Sequence, residues 1–519
     1  MSRQRPNILF IMSDDHAAQA ISSYGYGLNH TPNIDRLAEN GAKLNHCYVT
    51  NSICTPSRAA ILTGTHNHVN GVTTLSTHLN NELPNVAKYL RAGGYQTAMI
   101  GKWHLGQGPT HEPTGFDFWS VLPSQGDYFD PPMTENGEGI QPKGYTTDII
   151  TEKCSDWIRK RDPDKPFFMM CHHKAPHRPW HYNLKYEHLF QDEIPYPETF
   201  NDQYRDRAKA AAEARMRVES HMTYLDLDLV QPYFPAPDQE YSEMGAKTGQ
   251  MMVPFPESDE ACRKLKLICS RTGEVFTFES REQLKRFKYQ RYMQKYLRTV
   301  ASIDESVGQL LDLLDSEGIT DETIVIYTSD QGFFLGEHGW YDKRFIYEES
   351  FRMPFLMQFP REIPAGITVD SMASNVDFAP TWLDYAELPI PGYMQGYSMR
   401  SILQGDEPED WQQTAYHRYW MNQDESHNAY AHYGIRDHRY KLIYWYNEQL
   451  EVSGSNPATH EEKDWELFDL ESDPLELHNC FYDPDKKDVV IRMLKLLDQK
   501  QAEIGDIPEH DSRDVIGDL

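Results

Sequence analysis

Polar side chains that could carry out chemistry follow four short apolar runs of this 519-residue chain. The runs span residues 7–12, 96–100, 167–171 and 324–327, and each reads as a buried parallel strand. The residues that follow them are Asp14 and Asp15, Lys102 and His104, His172 to His177, and Asp330 and Gln331. Because open α/β sheets bind ligands at the carboxyl ends of their strands, we expect these groups to meet at one site.

Two of these groups offer only oxygen atoms as metal ligands. Asp14, Asp15, Asp330 and Gln331 therefore favour a hard cation, Ca²⁺ or Mg²⁺, over zinc. An isolated acidic pair is ordinarily a solvated turn. Here both pairs end apolar strands, where adjacent carboxylates would repel each other without a cation.

The segment 54–64 reads Cys-Thr-Pro-Ser-Arg-Ala-Ala-Ile-Leu-Thr-Gly. Pro56 suits the first turn of a helix, and the apolar run 59–62 predicts that this helix is buried. Cys54 would then lie at the helix N-terminus, where the helix dipole favours anions, with Arg58 one turn later. The alternative is a buried structural cysteine.

Helical patterns alternate with the predicted strands, at 33–44, 86–90 and 300–314. This alternation predicts an α/β fold with a large, mostly parallel sheet flanked by helices. We predict an N-terminal catalytic domain at 1–388, carrying a polar insertion at about 202–297 on the rim of the site. The remaining 389–519 reads as a smaller α+β domain with antiparallel strands at 430–436 and 440–445 and a helix at 489–497.

The segment 54–64 resembles the signature of type I sulfatases of the alkaline phosphatase superfamily, C-x-P-S-R-x-x-x-L-T-G. Segments 6–10, 31–38, 101–106 and 466–474 also resemble this family and occur in the family's order. Because ordered matches along nearly the whole chain are more specific than one motif, the chain is identified as a member of that family. The resemblance implies an alkaline phosphatase-like fold and sulfate ester hydrolysis.

The resemblance also implies a modified nucleophile and a metal. Cys54 would be oxidised to formylglycine by a formylglycine-generating enzyme, and its hydrated aldehyde would attack sulfur. One Ca²⁺ would contact position 54 and Asp14, Asp15, Asp330 and Gln331, the last of which is often Asn in relatives. Arg58 and Lys102 would hold the sulfate, His104 would take a proton from the second hydroxyl, and His177 with Lys343 would stabilise the leaving alcohol.

Substrate identity depends on loops at the rim of the site. The run Lys-Ala-Pro-His-Arg at 174–178 looks more like glycan sulfatases than enzymes of small aryl esters, and aromatic residues among charges suit a sugar. We therefore expect a sulfated saccharide or polysaccharide. The candidate substrate-binding residues are His172, His173, Arg178, Trp180, Trp340, Arg344 and Arg352.

Two other functions stay open at this stage. A phosphonate monoester or phosphodiester hydrolase of the same superfamily would share the formylglycine and metal site. A catalytically silent protein that binds sulfated glycans would carry an unmodified Cys54.

Charge and composition exclude several partners. The net charge of −29 argues against binding nucleic acid or anionic membranes. The seven scattered cysteines, an odd number, do not describe a disulfide scaffold. No apolar run approaches the ~20 residues that span a bilayer, and no signal peptide is visible. As written the chain reads as cytoplasmic, or as periplasmic or secreted if a leader has been removed.

Overall fold

The computed structural model describes residues 5–231, 255–460 and 462–508. Part of the predicted insertion, 232–254, lies outside the described residues. The strands are β1 Asn7–Ser13, β2 Ala42–Leu44, β3 Cys47–Tyr48, β4 Gln96–Lys102, β5 Phe118–Leu122, β6 Met133–Glu135, β7 Glu138–Ile140, β8 Phe167–His172, β9 Leu229–Val230, β10 Lys266–Cys269, β11 Val275–Thr277, β12 Thr323–Ser329, β13 Phe334–Leu335, β14 Tyr341–Asp342, β15 Phe355–Gln358, β16 Ile367–Val369, β17 Ala373–Ser374, β18 Ala415–Tyr419, β19 His432–Arg436, β20 Tyr440–Trp445 and β21 Asp464–Asp469.

The helices of the same residues flank these strands. They are α1 Pro32–Glu39, α2 Cys54–Thr63, α3 Asn67–Asn70, α4 Val86–Ala92, α5 Thr146–Lys160, α6 Lys209–Glu213, α7 Asp259–Lys264, α8 Arg281–Ser316, α9 Glu348–Phe351, α10 Phe378–Tyr385, α11 Arg400–Leu403 and α12 Lys487–Ile504.

A ten-stranded mixed sheet forms the centre of the molecule, in the order β16-β2-β15-β12-β1-β8-β4-β5-β6-β7. Its five middle strands, β12 to β5, are parallel. All four strands predicted from the sequence lie in this parallel block, so the prediction of a large, mostly parallel sheet flanked by helices is confirmed. Their carboxyl ends consequently share one edge of the sheet.

The middle strands read as continuous apolar runs because both faces of the sheet are buried. Along β1, Phe10 and Met12 pack into the core on one face, whereas Leu9 and Ile11 pack into the core on the other. This alternation follows from the two-residue period of a strand. Buried parallel strands of this kind position their terminal residues rigidly.

Two predicted helices have different lengths in the structure. The predicted helix at 33–44 is wrong in its last part, because α1 ends at Glu39 and residues 42–44 form strand β2. Gly41 lies where a Cβ atom would be 2.2 Å from the carbonyl oxygen of Met357, so the chain turns there. Helix α8 is 36 residues long and crosses the predicted end of the insertion at 297.

The C-terminal part contains the predicted antiparallel sheet, in the order β18-β19-β20-β21, with α12 packed against it. The predicted strands at 430–436 and 440–445 are confirmed within two residues. The division into domains at 388/389 stays a prediction. Strand β18 contacts the segment before α2, since the amide of Arg418 donates to the carbonyl of Thr50 at 3.0 Å.

In the described part of the chain, every helix is too short or too polar to cross a membrane.

Gly101 provides a test of how strand β4 is held. Its φ is +108°, and a Cβ there would lie 1.9 Å from the carbonyl oxygen of His172 on the paired strand β8. We expect Gly101→Ala to lower the free energy of unfolding by at least ~2 kcal/mol and to impair the site through the adjacent Lys102. Gly139→Ala is the matched control, because a Cβ at Gly139 meets nothing within 4 Å. Equal melting temperatures for the two variants would contradict this account of β4.

Candidate active site

Three carboxylates meet at the carboxyl edge of the central sheet. Asp14 and Asp15 follow β1, and Asp330 follows β12, which pairs with β1 up to Ser13 and Ser329. Ligand atoms of the three acids lie within 4.8 Å of one another, and all three side chains are fully buried. The register of two parallel strands therefore brings together acids that are far apart in sequence.

Oxygen atoms suited to a hard cation surround this point. The amide nitrogen of Gln331 donates to Asp15 Oδ1 at 2.5 Å. Its Oε1 is buried and has no hydrogen-bond partner among the described residues. A carbonyl oxygen without a partner beside three carboxylates fits a cation ligand. The site is a possible acidic metal site, as the sequence predicted.

The ionisation of the acids reflects this crowding. Burial, together with the charges of Asp14 and Asp342, raises the pKa of Asp15 to about 6. Burial and the charge of Asp14 raise the pKa of Asp330 to about 8. Burial opposes ionisation of Asp14, but the charges of Lys102 and Arg58 and the other neighbouring groups together hold the pKa of Asp14 well below its usual range. A bound cation would stabilise all three carboxylates in their charged form.

Cys54 begins helix α2 and touches the acids. Its Sγ donates to Asp14 Oδ1 at 3.2 Å and lies 3.8 Å from Gln331 Nε2. Every residue of α2 is buried, and Gly64 ends the helix in the left-handed conformation. Burial and the charge of Asp14 raise the pKa of the Cys54 thiol well above its usual value. An unmodified thiol here would stay protonated and would be a poor nucleophile.

Arg58 connects the acids to strand β4. Its Nη2 lies 2.9 Å from Asp330 Oδ2 and 3.5 Å from Asp14 Oδ1. Its Nη1 donates to the carbonyl of Lys102 at 2.7 Å. A guanidinium fixed by three partners presents its remaining N–H groups in a defined direction.

Two lysines from different segments each contact one of the three acids. Lys102, at the end of β4, donates to Asp14 and to Gln125 Oε1. Lys343, directly after β14, donates to Asp15 Oδ2 at 2.7 Å. Burial opposes the charged form of Lys343, but Asp15 together with the other nearby acids overcomes it and raises the pKa of Lys343. Both lysines thus lie where the sequence placed them, beside the acids and Cys54.

The two candidate catalytic histidines also lie at this point. His104 Nδ1 is 3.5 Å from Thr55 Oγ1, and burial next to Lys102 lowers the pKa of His104 well below its usual value. His177 Nε2 is 3.7 Å from Asp15 Oδ2, and burial beside Lys102 lowers its pKa in the same way. His177 Nδ1 lies 2.7 Å from the carbonyl of Arg178, so Nδ1 carries the proton and Nε2 is a free base in the neutral ring.

His172 and His173 are buried and contact protein groups. His172 Nδ1 lies 3.2 Å from the carbonyl of Lys102 and 3.5 Å from Arg58 Nη1. His173 is fully buried, with Nε2 3.0 Å from Ser306 Oγ on α8. Contact of either histidine with a substrate stays a prediction.

Trp180 and Trp340, which the sequence also predicted to bind substrate, have no exposed surface. Trp180 packs on Tyr292 of α8 with ring centroids 4.7 Å apart. Trp340 stacks on Tyr204 with centroids 5.2 Å apart. These large rings belong to the cores beneath the rim, where their apolar area stabilises the fold.

Arg178 and Arg344 belong to a charged cluster next to Lys343, which we call the rim cluster. Its members are Arg178, Asp226, Asp342, Arg344, Asp424 and His427. Asp342 is its centre: Oδ2 lies 3.5 Å from Arg178 Nη1 and 3.4 Å from His427 Nε2. The sequence placed Arg352 here as well, but its guanidinium donates to Tyr26 and no described residue of the cluster contacts it.

Several residues of the site gave no sequence signal. Their types alone do not distinguish them from surface residues, and they lie in segments remote along the chain. They are Gln125, Asp226, Asp424 and His427. Lys174 lies inside the 174–178 run, which was used only as a family-like pattern. Its position is described below.

Comparison with protein families gives two matches. The sulfatase family model matches residues 6–388. A model of the C-terminal part of N-sulphoglucosamine sulphohydrolase matches residues 336–503. An N-acetylglucosamine-6-O-sulfatase of Bacteroides thetaiotaomicron is 41% identical over 510 residues, which are 97% of this chain and 87% of that protein.

Solved structures agree. A protein solved with its substrate D-glucosamine-2-N,6-O-disulfate superposes with a TM-score of 0.84 at 40% identity, covering 97% of this chain and 99% of that one. The phosphonate monoester hydrolase of Agrobacterium radiobacter superposes with a TM-score of 0.65 at 20% identity, covering 96% of each chain, which shows a shared fold. With the family model matching most of its length and the acids, Cys54, Arg58 and both lysines gathered at one point, this chain belongs to the sulfatase family, whose members hydrolyse sulfate esters.

Proposed function

We propose that this sulfatase removes the 6-O-sulfate of N-acetylglucosamine or a related glucosamine in sulfated glycans. The observation that carries the proposal is the 41% identity to an N-acetylglucosamine-6-O-sulfatase over 97% of the chain. The structural neighbour at a TM-score of 0.84, solved with a 6-O-sulfated glucosamine, supports the same substrate class. We assign binding of the sugar to the rim cluster, which lies next to the acids.

Sulfate ester hydrolysis would require a nucleophile at position 54 and a cation. The cation would be held by Asp14, Asp15 and Asp330, which we call the acidic cluster, and by Gln331. We infer that Cys54 is converted to formylglycine, whose hydrated aldehyde would supply the nucleophile. Ca²⁺ held by Asp14, Asp15, Asp330 and Gln331 would polarise the sulfate and neutralise developing charge. The unpartnered Gln331 Oε1 and the raised pKa values of Asp15 and Asp330 support this ligand set.

Arg58 and Lys102 would bind the sulfate group. Both are held within 3.5 Å of Asp14, so their charges need no rearrangement when the ester arrives. Preorganised cations of this kind stabilise the charge that accumulates on sulfate oxygens as sulfur is attacked. The Lys102 carbonyl connects them further, because it accepts from Arg58 Nη1 at 2.7 Å and from His172 Nδ1 at 3.2 Å.

Proton transfers divide between the remaining residues. His104 is neutral near pH 7, because burial lowers its pKa, and can accept a proton from a hydroxyl at position 54. Neutral His177 presents a free base at Nε2. Lys343 stays charged because its pKa is raised, so it would stabilise the negative charge that develops on the leaving sugar oxygen, with His177 beside it as a hydrogen-bonding partner.

The rim cluster would recognise the sugar itself. Asp342, Arg344 and His427 are each less than a tenth exposed and meet directly beside Lys343, where the alcohol leaves. Carboxylate, guanidinium and imidazole groups fixed by one another match the alternating donors and acceptors of sugar hydroxyls. Asp342 and Arg344 have φ values of +78° and +98°, which place their side chains at the cost of backbone strain.

The first prediction of the proposed function concerns Cys54. Cys54→Ala should reduce kcat by at least ~10³-fold while leaving the melting temperature close to wild type, because the residue supplies the nucleophile. Cys480→Ala is the control for losing a thiol, because Cys480 is a buried cysteine in the core beneath the C-terminal sheet. Peptide mass spectrometry of the wild type should show position 54 without sulfur. An active enzyme with unmodified Cys54 would contradict the proposal. An inactive protein with unmodified Cys54 would instead favour the alternative of a protein that only binds sulfated glycans.

The second prediction links calcium to pH. Asp15 and Asp330 have an unperturbed pKa of 3.8 and folded values of about 6 and about 8. Between pH 4 and 8 the folded state therefore holds more protons than the unfolded one, so stability in chelator should fall as pH rises. Calcium binds the deprotonated acids, so the rise in melting temperature that it causes should grow from pH 5 to pH 8. A calcium effect independent of pH, or stoichiometric zinc by elemental analysis, would contradict the ligand set.

The third prediction tests the substrate. The enzyme should hydrolyse 6-O-sulfated N-acetylglucosamine with higher kcat/KM than its 3-O- or 4-O-sulfated isomers or an aryl phosphonate. His427→Ala should raise KM for the sugar about 10-fold and change turnover of an aryl sulfate little, because it removes one charge-assisted contact to the sugar. His478→Ala, which alters an exposed histidine paired with Asp483, is the control. Equal losses on sugar and aryl sulfate would place His427 outside sugar recognition.

A further inference from the structure

Lys174 is a buried cation that the steps above do not use. It follows strand β8 by two residues and is 3% exposed. Its ammonium lies over the ring of Tyr128, 4.9 Å from the centroid. The Tyr128 hydroxyl in turn donates to the carbonyl of His177 at 2.5 Å, which fixes the ring against the loop that carries His177.

The ammonium of Lys174 differs from the other cations of the site in having no acidic partner. Arg58, Lys102 and Lys343 each contact a carboxylate of the acidic cluster. In the rim cluster, Arg178 pairs with Asp226 and Arg344 lies 3.8 Å from Asp342. Within the described residues, Lys174 makes neither an ion pair nor a side-chain hydrogen bond.

Backbone hydrogen bonds place Lys174 next to the acids. The amide of Asp14 donates to the carbonyl of Ala175 at 3.2 Å, and the amide of His177 donates to the carbonyl of Lys174 at 3.1 Å. The side chain is 3% exposed, but its Nζ keeps some accessible surface, so its three N–H groups are available to an anion that enters there. Burial and the charge of Lys102 lower the pKa of Lys174 to about 7, so an arriving anion would favour its protonated form.

We propose that Lys174 binds a non-bridging oxygen of the substrate's sulfate group, together with Arg58 and Lys102. The proposal rests on the sulfatase activity of the family and not on the sugar preference proposed above. Tyr128 positions the ammonium through the cation–π contact, which uses the face of the ring and no hydrogen-bond acceptor. Lys174 thereby supplies positive charge that no carboxylate of the described chain already neutralises.

The test compares Lys174→Met with Lys174→Arg in the full-length, calcium-loaded enzyme. Loss of the contact should raise KM for any sulfate ester, and the inhibition constant of inorganic sulfate, by about 10- to 100-fold. The arginine variant should recover much of this loss because it keeps the charge. The sulfate-dependent rise in melting temperature should shrink in Lys174→Met, and this readout needs no turnover.

A matched control separates binding from packing. Lys288 is also buried, also lies over aromatic rings, and has a pKa lowered by burial to about 7, but it donates to the carbonyls of Glu219 and Met222. Lys288→Met should therefore lower stability without changing the inhibition constant of sulfate. If Lys174→Met is too unstable to purify, Lys174→Gln gives the same comparison.

Two results would overturn the assignment. An unchanged inhibition constant for inorganic sulfate in Lys174→Met would show that the ammonium does not touch sulfate. A rise in KM confined to glucosamine-2-N,6-O-disulfate, with 6-O-sulfated N-acetylglucosamine unaffected, would place Lys174 at a second anionic group of the sugar. Because the sulfate measurements do not depend on which sugar is preferred, a wrong sugar assignment and a wrong role for Lys174 give different results.

Discussion

Asp14, Asp15 and Asp330 place three carboxylates within 4.8 Å of one another at fully buried positions. Negative charge at that density is unfavourable inside a protein unless cations offset it. The surrounding structure supplies that compensation: Arg58 from α2, Lys102 from β4 and Lys343 after β14 each contact at least one of these acids. Under the proposed function the same cations bind the sulfate ester, so the stability of the site and its affinity for anions would have one physical origin.

The backbone holds these groups in conformations that side chains rarely adopt. Asp15, His104, Asp342 and Arg344 all have positive φ values although none is glycine. Such strain persists only where surrounding packing over-determines it. Here the ten-stranded sheet, buried on both faces, and α2, buried along its whole length, provide that packing. Rigid elements thus fix the acids, Cys54 and the neighbouring cations in place.

The C-terminal sheet takes part in the site as well as in the fold. His417 of β18 accepts from the amide of Ser52 at 3.0 Å, two residues before Cys54. The loop that follows β18 brings Asp424 and His427 to Asp342. Within this strongly acidic chain, Arg58, Lys102 and Lys343 gather beside the acids at the carboxyl edge of the central sheet, which gives the site a local positive charge.

The sequence by itself determined the sheet, the strand ends that carry chemistry and the family, because hydrophobic periodicity and ordered motifs are local properties of the chain. It also determined which residue types could hold a hard cation. It did not show that His172, His173, Trp180 and Trp340 are buried, since residue type does not reveal which side of a strand end or loop is solvent. It gave no sign that His427, Asp424 and Asp226 join Asp342, or that Lys174 lacks an acidic partner. Those facts depend on contacts between segments far apart along the chain, and only tertiary packing decides them.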